Sequence, residues 1–144
     1  IIHYQNAASS APNPLLKVQA QINQLNLLVN NKRITEAKAL INSIQSQLPN
    51  LPTNNAGIYA RINFARVIIK IADKKDAASI LATSVQQAKT LNDTRALSYA
   101  LGNLASVYEQ NKQWQEALKL TREALSLSEQ INAPDINYRW KWQL

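Results

Sequence analysis

The 144-residue sequence predicts an all-α chain, an α-α superhelix of antiparallel helix pairs that repeat about every 40 residues. Three observations predict it. Composition is the first: two glycines and five prolines are too few for the many tight turns of a β sandwich or barrel. Ala, Leu, Gln, Lys and Ile dominate instead, a balance that favours helix. The second is self-similarity in one register. A shift of 40 places Tyr59-Ala60 on Tyr99-Ala100, Asn63 on Asn103, Ala65 on Ala105, Val67 on Val107, Ala77 on Ala117 and Asn92 on Asn132. A shift of 80 places Asn31-Lys32 on Asn111-Lys112, Glu36-Ala37 on Glu116-Ala117 and Leu40 on Leu120. The third is apolar spacing with the period of a helix.

That spacing is clearest late in the chain. Leu97, Leu101, Leu104, Ala105 and Tyr108 share one face of a helix running from about Asp93 to Glu109. Asn111-Lys112-Gln113 breaks the pattern, and Trp114, Ala117, Leu118, Leu120, Ala124, Leu125 and Leu127 build a second helix. Asn132-Ala133-Pro134 stops it, because proline cannot continue a helix. A middle pair spans Ala56 to Leu91 and a first pair Pro14 to Leu48, with the turn Pro49 to Asn55 as the one sizeable loop. The first pair fits least well, since Gln21 and Gln24 stand where apolar residues belong. The divisions are therefore residues 14–56, 57–96 and 97–136 as three repeats of one domain. Residues 1–13 read as the end of a preceding second helix, through Tyr4, Ala7 and Pro12, and 137–144 as a truncated first helix. On this reading the chain is a stretch of a longer array, and its half-repeats would favour end-to-end association.

Leu101-x-x-Leu104-Ala105-x-x-Tyr108, followed by Ala117 and Ala124, resembles the tetratricopeptide repeat signature. Small residues sit where two helices cross closely and large ones fill the groove between them. The middle pair offers Phe64-Ala65-x-x-Ile68, Ala77 and Leu81 at matching places. Leu101, Ala105 and Thr121 depart from the family's Trp, Gly and aromatic, and the period exceeds its usual 34 residues. Arg95 to Gly102, Val107 to Gln110, Ile131 to Ile136 and Tyr138 to Leu144 are similar to the repeat region of cyanobacterial CHAT-domain proteins. There, tetratricopeptide repeats precede a caspase-like peptidase domain. The resemblance implies a protein-binding scaffold within a larger protein, or else a structural arm that positions or restrains the peptidase.

Chemistry is sparse. No cysteine is present, so disulfides and thiolate metal sites are excluded. A cytoplasmic setting is the expectation, although the redox compartment is not encoded. The single histidine, His3, supports neither a metal site nor a catalytic dyad. Gly57 and Gly102 are the only glycines, which leaves no phosphate-cradling loop. Ser126, Ser128 and Glu129 read as the polar face of a second helix, and Glu116 with Lys119 as an intrahelical charge pair. No catalytic residue, cofactor or metal is expected, so the chain is not read as an enzyme. No apolar run reaches the length of a membrane span. The net charge of +7 is spread thinly, and its densest stretch (Arg61, Arg66, Lys70, Lys74 and Lys75) is broken by Asp73 and Asp76. It reads as solvated surface and not as a nucleic-acid track.

One face remains as a candidate site. On the first helices, residues spaced by four, three and four form a stripe: Gln19, Asn23, Asn26 and Asn30, then Tyr59, Asn63, Arg66 and Lys70, then Tyr99, Asn103, Ser106 and Gln110. Arg139 and Gln143 continue it. Asn23, Asn63 and Asn103 thus recur at one point of each repeat. A side-chain amide both donates and accepts, which suits it to the backbone of an extended peptide, and the column resembles the asparagine ladders of tetratricopeptide superhelices. It can equally be read as a solvated face. Tyr59 and Tyr99 offer stacking in the groove or packing between neighbouring helices. Arg66 and Lys70 favour an acidic ligand or stand in solvent. The expected concave-face site is Asn23, Tyr59, Asn63, Arg66, Lys70, Tyr99, Asn103, Ser106 and Arg139, and the expected partner is a protein or extended peptide of acidic character.

Overall fold

The computed structural model describes residues 13–71 and 74–143. The readings made on His3, Tyr4, Ala7, Pro12 and Leu144 lie outside them. Among the described residues every regular element is helical: α1 (Pro14–Asn30), α2 (Ile34–Gln47), α3 (Asn55–Ile68), α4 (Lys74–Thr90), α5 (Thr94–Gln110), α6 (Trp114–Gln130) and α7 (Pro134–Gln143). Single 3₁₀ turns, Leu48–Asn50 and Ile69–Ile71, follow α2 and α3. Proline 134 does more than stop α6, since it opens α7 in the first turn, where its missing N–H costs nothing.

Local sequence explains where the helices begin and end. Asn13, Asn54 and Asp93 cap α1, α3 and α5, their side-chain oxygens accepting from the N–H of Leu15, Gly57 and Ala96 at 2.8, 2.9 and 3.0 Å. Four helix ends share one turn. Lys32, Asn92, Lys112 and Asn132 have φ of 59°, 54°, 63° and 53°. The residue after each donates back five positions: Arg33 to Leu28, Asp93 to Ala88, Gln113 to Tyr108 and Ala133 to Ser128, at 2.9–3.0 Å. This is the Schellman ending, built on Asn and Lys where glycine is usual. The four left-handed positions are ones that the sequence periodicity superposes.

The chain forms two compact units, Ile1–Asp73 and Lys74–Leu144, so the division falls within the predicted second repeat, 57–96. In the first unit α1 packs against α2 and α3. Val18, Leu25, Ile44, Ile58, Ile62, Phe64 and Ile68 are fully buried between them. Gln21 and Gln24 are buried as well, despite their polarity. Gln21 is satisfied by α2: Gln47 Nε2 donates to its Oε1 at 2.8 Å. Arg61 corrects the solvated reading of the basic stretch. It is 6% exposed, and its guanidinium donates to the carbonyls of Leu48, Leu51 and Pro52 at 2.9–3.0 Å. Burial pushes its pKa down, and the three carbonyls supply the partners that water would otherwise give. Gly57 lets the loop come this close, because a Cβ there would overlap the Pro52 carbonyl.

In the second unit α5 packs against α4, α6 and α7, and α6 also against α7. Ala96, Ala100 and Ala105 of α5 and Ala117 and Ala124 of α6 are buried. Ser128 is not on a polar face: it is fully buried, and its hydroxyl donates to Leu125 O at 2.8 Å. Glu116 and Lys119 form no ion pair with each other.

Candidate functional site

In the first unit the stripe residues of α1 and α3 face each other across a groove of about 480 Å³. Its floor is apolar, from Ile22, Ala60 and Val67. Gln19, Asn23 and Asn26 form one wall, and Asn63, Arg66 and Lys70 the other. The geometry follows from helical spacing, since residues three and four apart share a face. Asn23, Asn63 and Lys70 are exposed, while Asn26 and Arg66 are half-buried. Lys70 reaches across the groove and donates from Nζ to Asn26 Oδ1 at 3.0 Å. Tyr59 does not line this groove; it is half-buried and its hydroxyl is enclosed.

The second unit treats the same stripe differently. Asn103 is 7% exposed, and its Nδ2 donates to Tyr99 O one turn back at 2.7 Å. Helix α7 lies over the stripe. Trp140 is 1% exposed, packs on Gly102, and donates from Nε1 to Ser98 Oγ at 3.0 Å. Ser98 Oγ in turn donates to Ala124 O at 2.6 Å. Gln143 donates to Gly102 O at 3.1 Å and to Thr121 Oγ1 at 2.9 Å, and accepts from Ser106 Oγ at 2.7 Å. Arg139 stacks over the rings of Tyr99 and Trp140, 5.6 and 5.9 Å from their centroids. Arg95 pairs with Asp135 at the exposed end of α7, and its hydrogen bond holds the Asp135 carboxyl below the usual carboxylate range.

The nine expected site residues therefore divide. Asn23, Asn63, Arg66 and Lys70 meet in one groove, and Tyr59 lies outside its lining. Tyr99, Asn103, Ser106 and Arg139 are engaged with their own unit and with α7. Gln19 and Asn26 also line the groove, although the sequence marks them only as stripe members. Trp140 and Gly102 were not read as a matched pair, although the register carried the signal. Trp140 stands where Ala100 and Ala60 stand, so something small must lie opposite it. No cluster of three or more His, Cys, Asp or Glu side chains is found among the described residues. None of their helices is long and apolar enough to cross a membrane.

Comparison with solved structures gives the fold a relative. The chain is similar to putative kinesin light chain nearly identical TPR-like repeats from Podosopora anserina, with a TM-score of 0.69 and 18% identity. The match covers 82% of this chain, which spans 57% of that one. The likeness makes this a TPR-like helical repeat fold. No protein-family model and no curated protein matches the sequence.

Proposed function

We propose that this chain is a protein-interaction scaffold that holds an extended protein segment in the first-unit groove. One observation carries the proposal: two walls of polar side chains, Gln19, Asn23 and Asn26 opposite Asn63, Arg66 and Lys70, stand over an apolar floor. An extended segment alternates its side chains and presents backbone N–H and C=O groups along both edges. Amides on both walls can donate to the carbonyls and accept from the N–H groups whatever the peptide's sequence. The apolar floor takes one side chain in every two. The TPR-like fold of a solved neighbour supports the reading, because such repeats present first-helix faces side by side.

The test is an array of ten-residue peptides of diverse sequence, probed with the native chain and with Asn23→Ala/Asn63→Ala. Binding to a family of peptides that the double variant loses is the expected result, with folding checked by circular dichroism. Equal binding by both chains, or none, would contradict it. The resemblance of Arg95 to Gly102 and Tyr138 to Leu144 to the repeats of CHAT-domain proteins supports a second reading, an arm that positions or restrains a caspase-like domain. A native chain that binds no peptide on the array would move that reading to the front.

A further inference from the structure

We infer that the seat of α7 on α5 and α6 is a recognition site for a short helix carrying Trp and Gln three residues apart, and that a second copy of this chain fills it by exchanging its own α7. The seat reads side chains. Trp140 lies against Gly102, where an added Cβ would overlap the ring, so the missing side chain shapes the site to an aromatic. The indole N–H donates to Ser98 Oγ at 3.0 Å, and one turn on, Gln143 bonds Gly102 O, Thr121 Oγ1 and Ser106 Oγ at 2.7–3.1 Å. Ser98, Gly102 and Ser106 belong to α5 and Thr121 to α6. None of these groups is in the connector 131–133, so the contacts do not depend on which copy supplies α7. The fit is also specific. Forty residues earlier, Ala100 and Ile62 stand in place of Trp140 and Gly102, so within this sequence only another α7 matches the seat.

The helix depends on its seat more than on itself. It has ten residues, fewer than the roughly 12–15 at which an isolated helix is marginal in water. Asn137, Tyr138, Trp140 and Trp142 are middling helix formers. The seat grips one side, for Tyr138 and Trp142, stacked edge to face at 6.2 Å, are 65% and 76% exposed. The connector from α6 is three residues long and holds Asn132 in the left-handed region at φ 53°. A short hinge under strain is the setting in which identical elements exchange between copies. A tethered α7 has an effective concentration of roughly 1 mM at its own seat. Exchange therefore emerges in concentrated chain, or where a copy's own α7 is impaired.

The experiment mixes two variants of the whole chain. Trp140→Ala keeps the seat and spoils α7; Gly102→Ala keeps α7 and blocks the seat. Fluorescein-labelled Gly102→Ala chain, read by anisotropy, is expected to bind the Trp140→Ala chain at least about tenfold more tightly than either variant binds itself or the native chain. A peptide of residues 134–143 should compete, and the same peptide with Trp140→Ala should not. Adding Gln143→Ala to the labelled chain should weaken the pairing about fivefold. Circular dichroism checks the folding of both variants. The native chain gives a reading that needs neither: at about 1 mM it should form dimers with nuclear Overhauser effects from α7 of an isotope-labelled copy to α5 of an unlabelled one. Absence of cross-binding between folded variants, competition by both peptides alike, or a native chain that stays monomeric at that concentration would overturn the inference. Self-association equal in the native chain and both variants would overturn it too, and would mark end-to-end contact through Tyr138 and Trp142 instead.

Discussion

The two units carry the same stripe at the same register, yet one presents it and the other consumes it. In the first unit, α1 and α3 face each other with Asn23 and Asn63 exposed across an apolar floor. In the second, Asn103 folds back on Tyr99 O, and Ser106 is taken by Gln143. The difference lies in the helix laid alongside. Where α3 brings Ala60, α7 brings Trp140, which fills the space against Gly102 and ties α7 down through Ser98. One large side chain at a position otherwise held by alanine turns a groove into a packed interface. Recurrence of an asparagine is therefore no guide to its exposure: Asn63 is exposed and Asn103 is 7% exposed.

The largest expected effect breaks the closed half of this comparison. Trp140→Ala removes a fully buried ring, and such truncations cost about 3–5 kcal/mol. Chemical denaturation should show that loss, and hydrogen exchange should show α7 deprotected before α5. Gly102→Ala attacks the same contact from the other side, because the new methyl overlaps the ring. Next comes the buried cation of the first unit. Arg61→Met keeps the buried stem but strands the carbonyls of Leu48, Leu51 and Pro52, at a cost of about 2–3 kcal/mol. Urea unfolding measures it, and increased proteolysis at 49–54 would localise it.

Smaller changes sharpen the comparison without breaking it. Lys112→Gly relieves a left-handed φ of 63° and should stabilise the chain by about 0.5–1 kcal/mol, net of the added freedom of the unfolded chain. Asn132→Gly should gain less, because asparagine tolerates that conformation better. Asp135 gives the smallest effect. Its carboxyl is held below the usual range by Arg95, so the pair contributes stability at neutral pH and loses it as pH falls through the folded-state value. Thermal midpoints of the native chain and Asp135→Asn should therefore differ slightly at pH 7 and converge in acid.

Much of the fold was legible in the sequence, and for physical reasons. Helix bounds follow from apolar spacing and from caps such as Asp93 and Asn54, which act within a single turn. The superposed residues Lys32 with Lys112, and Asn92 with Asn132, marked turns that share one backbone geometry. Part of the candidate groove's lining was also legible, since a stripe of fixed spacing must emerge on one face. What escaped was long-range. Arg61 looks like any surface cation until the carbonyls of residues 48–52 fold onto it. Asn103 looks like Asn63 in the sequence, yet it is buried and turned back on Tyr99 O. Burial of a polar side chain is fixed by what it meets, and that partner is not written beside it.

The most direct test follows the side-chain amide signals of Asn23, Asn63 and Asn103 by NMR as a peptide bound on the array is added. The account predicts that the Asn23 and Asn63 amides shift in a saturable way, while the Asn103 amide, buried and bonded to Tyr99 O, stays where it is. Movement of Asn103 with the same affinity, or stillness of all three while the peptide binds, would contradict it.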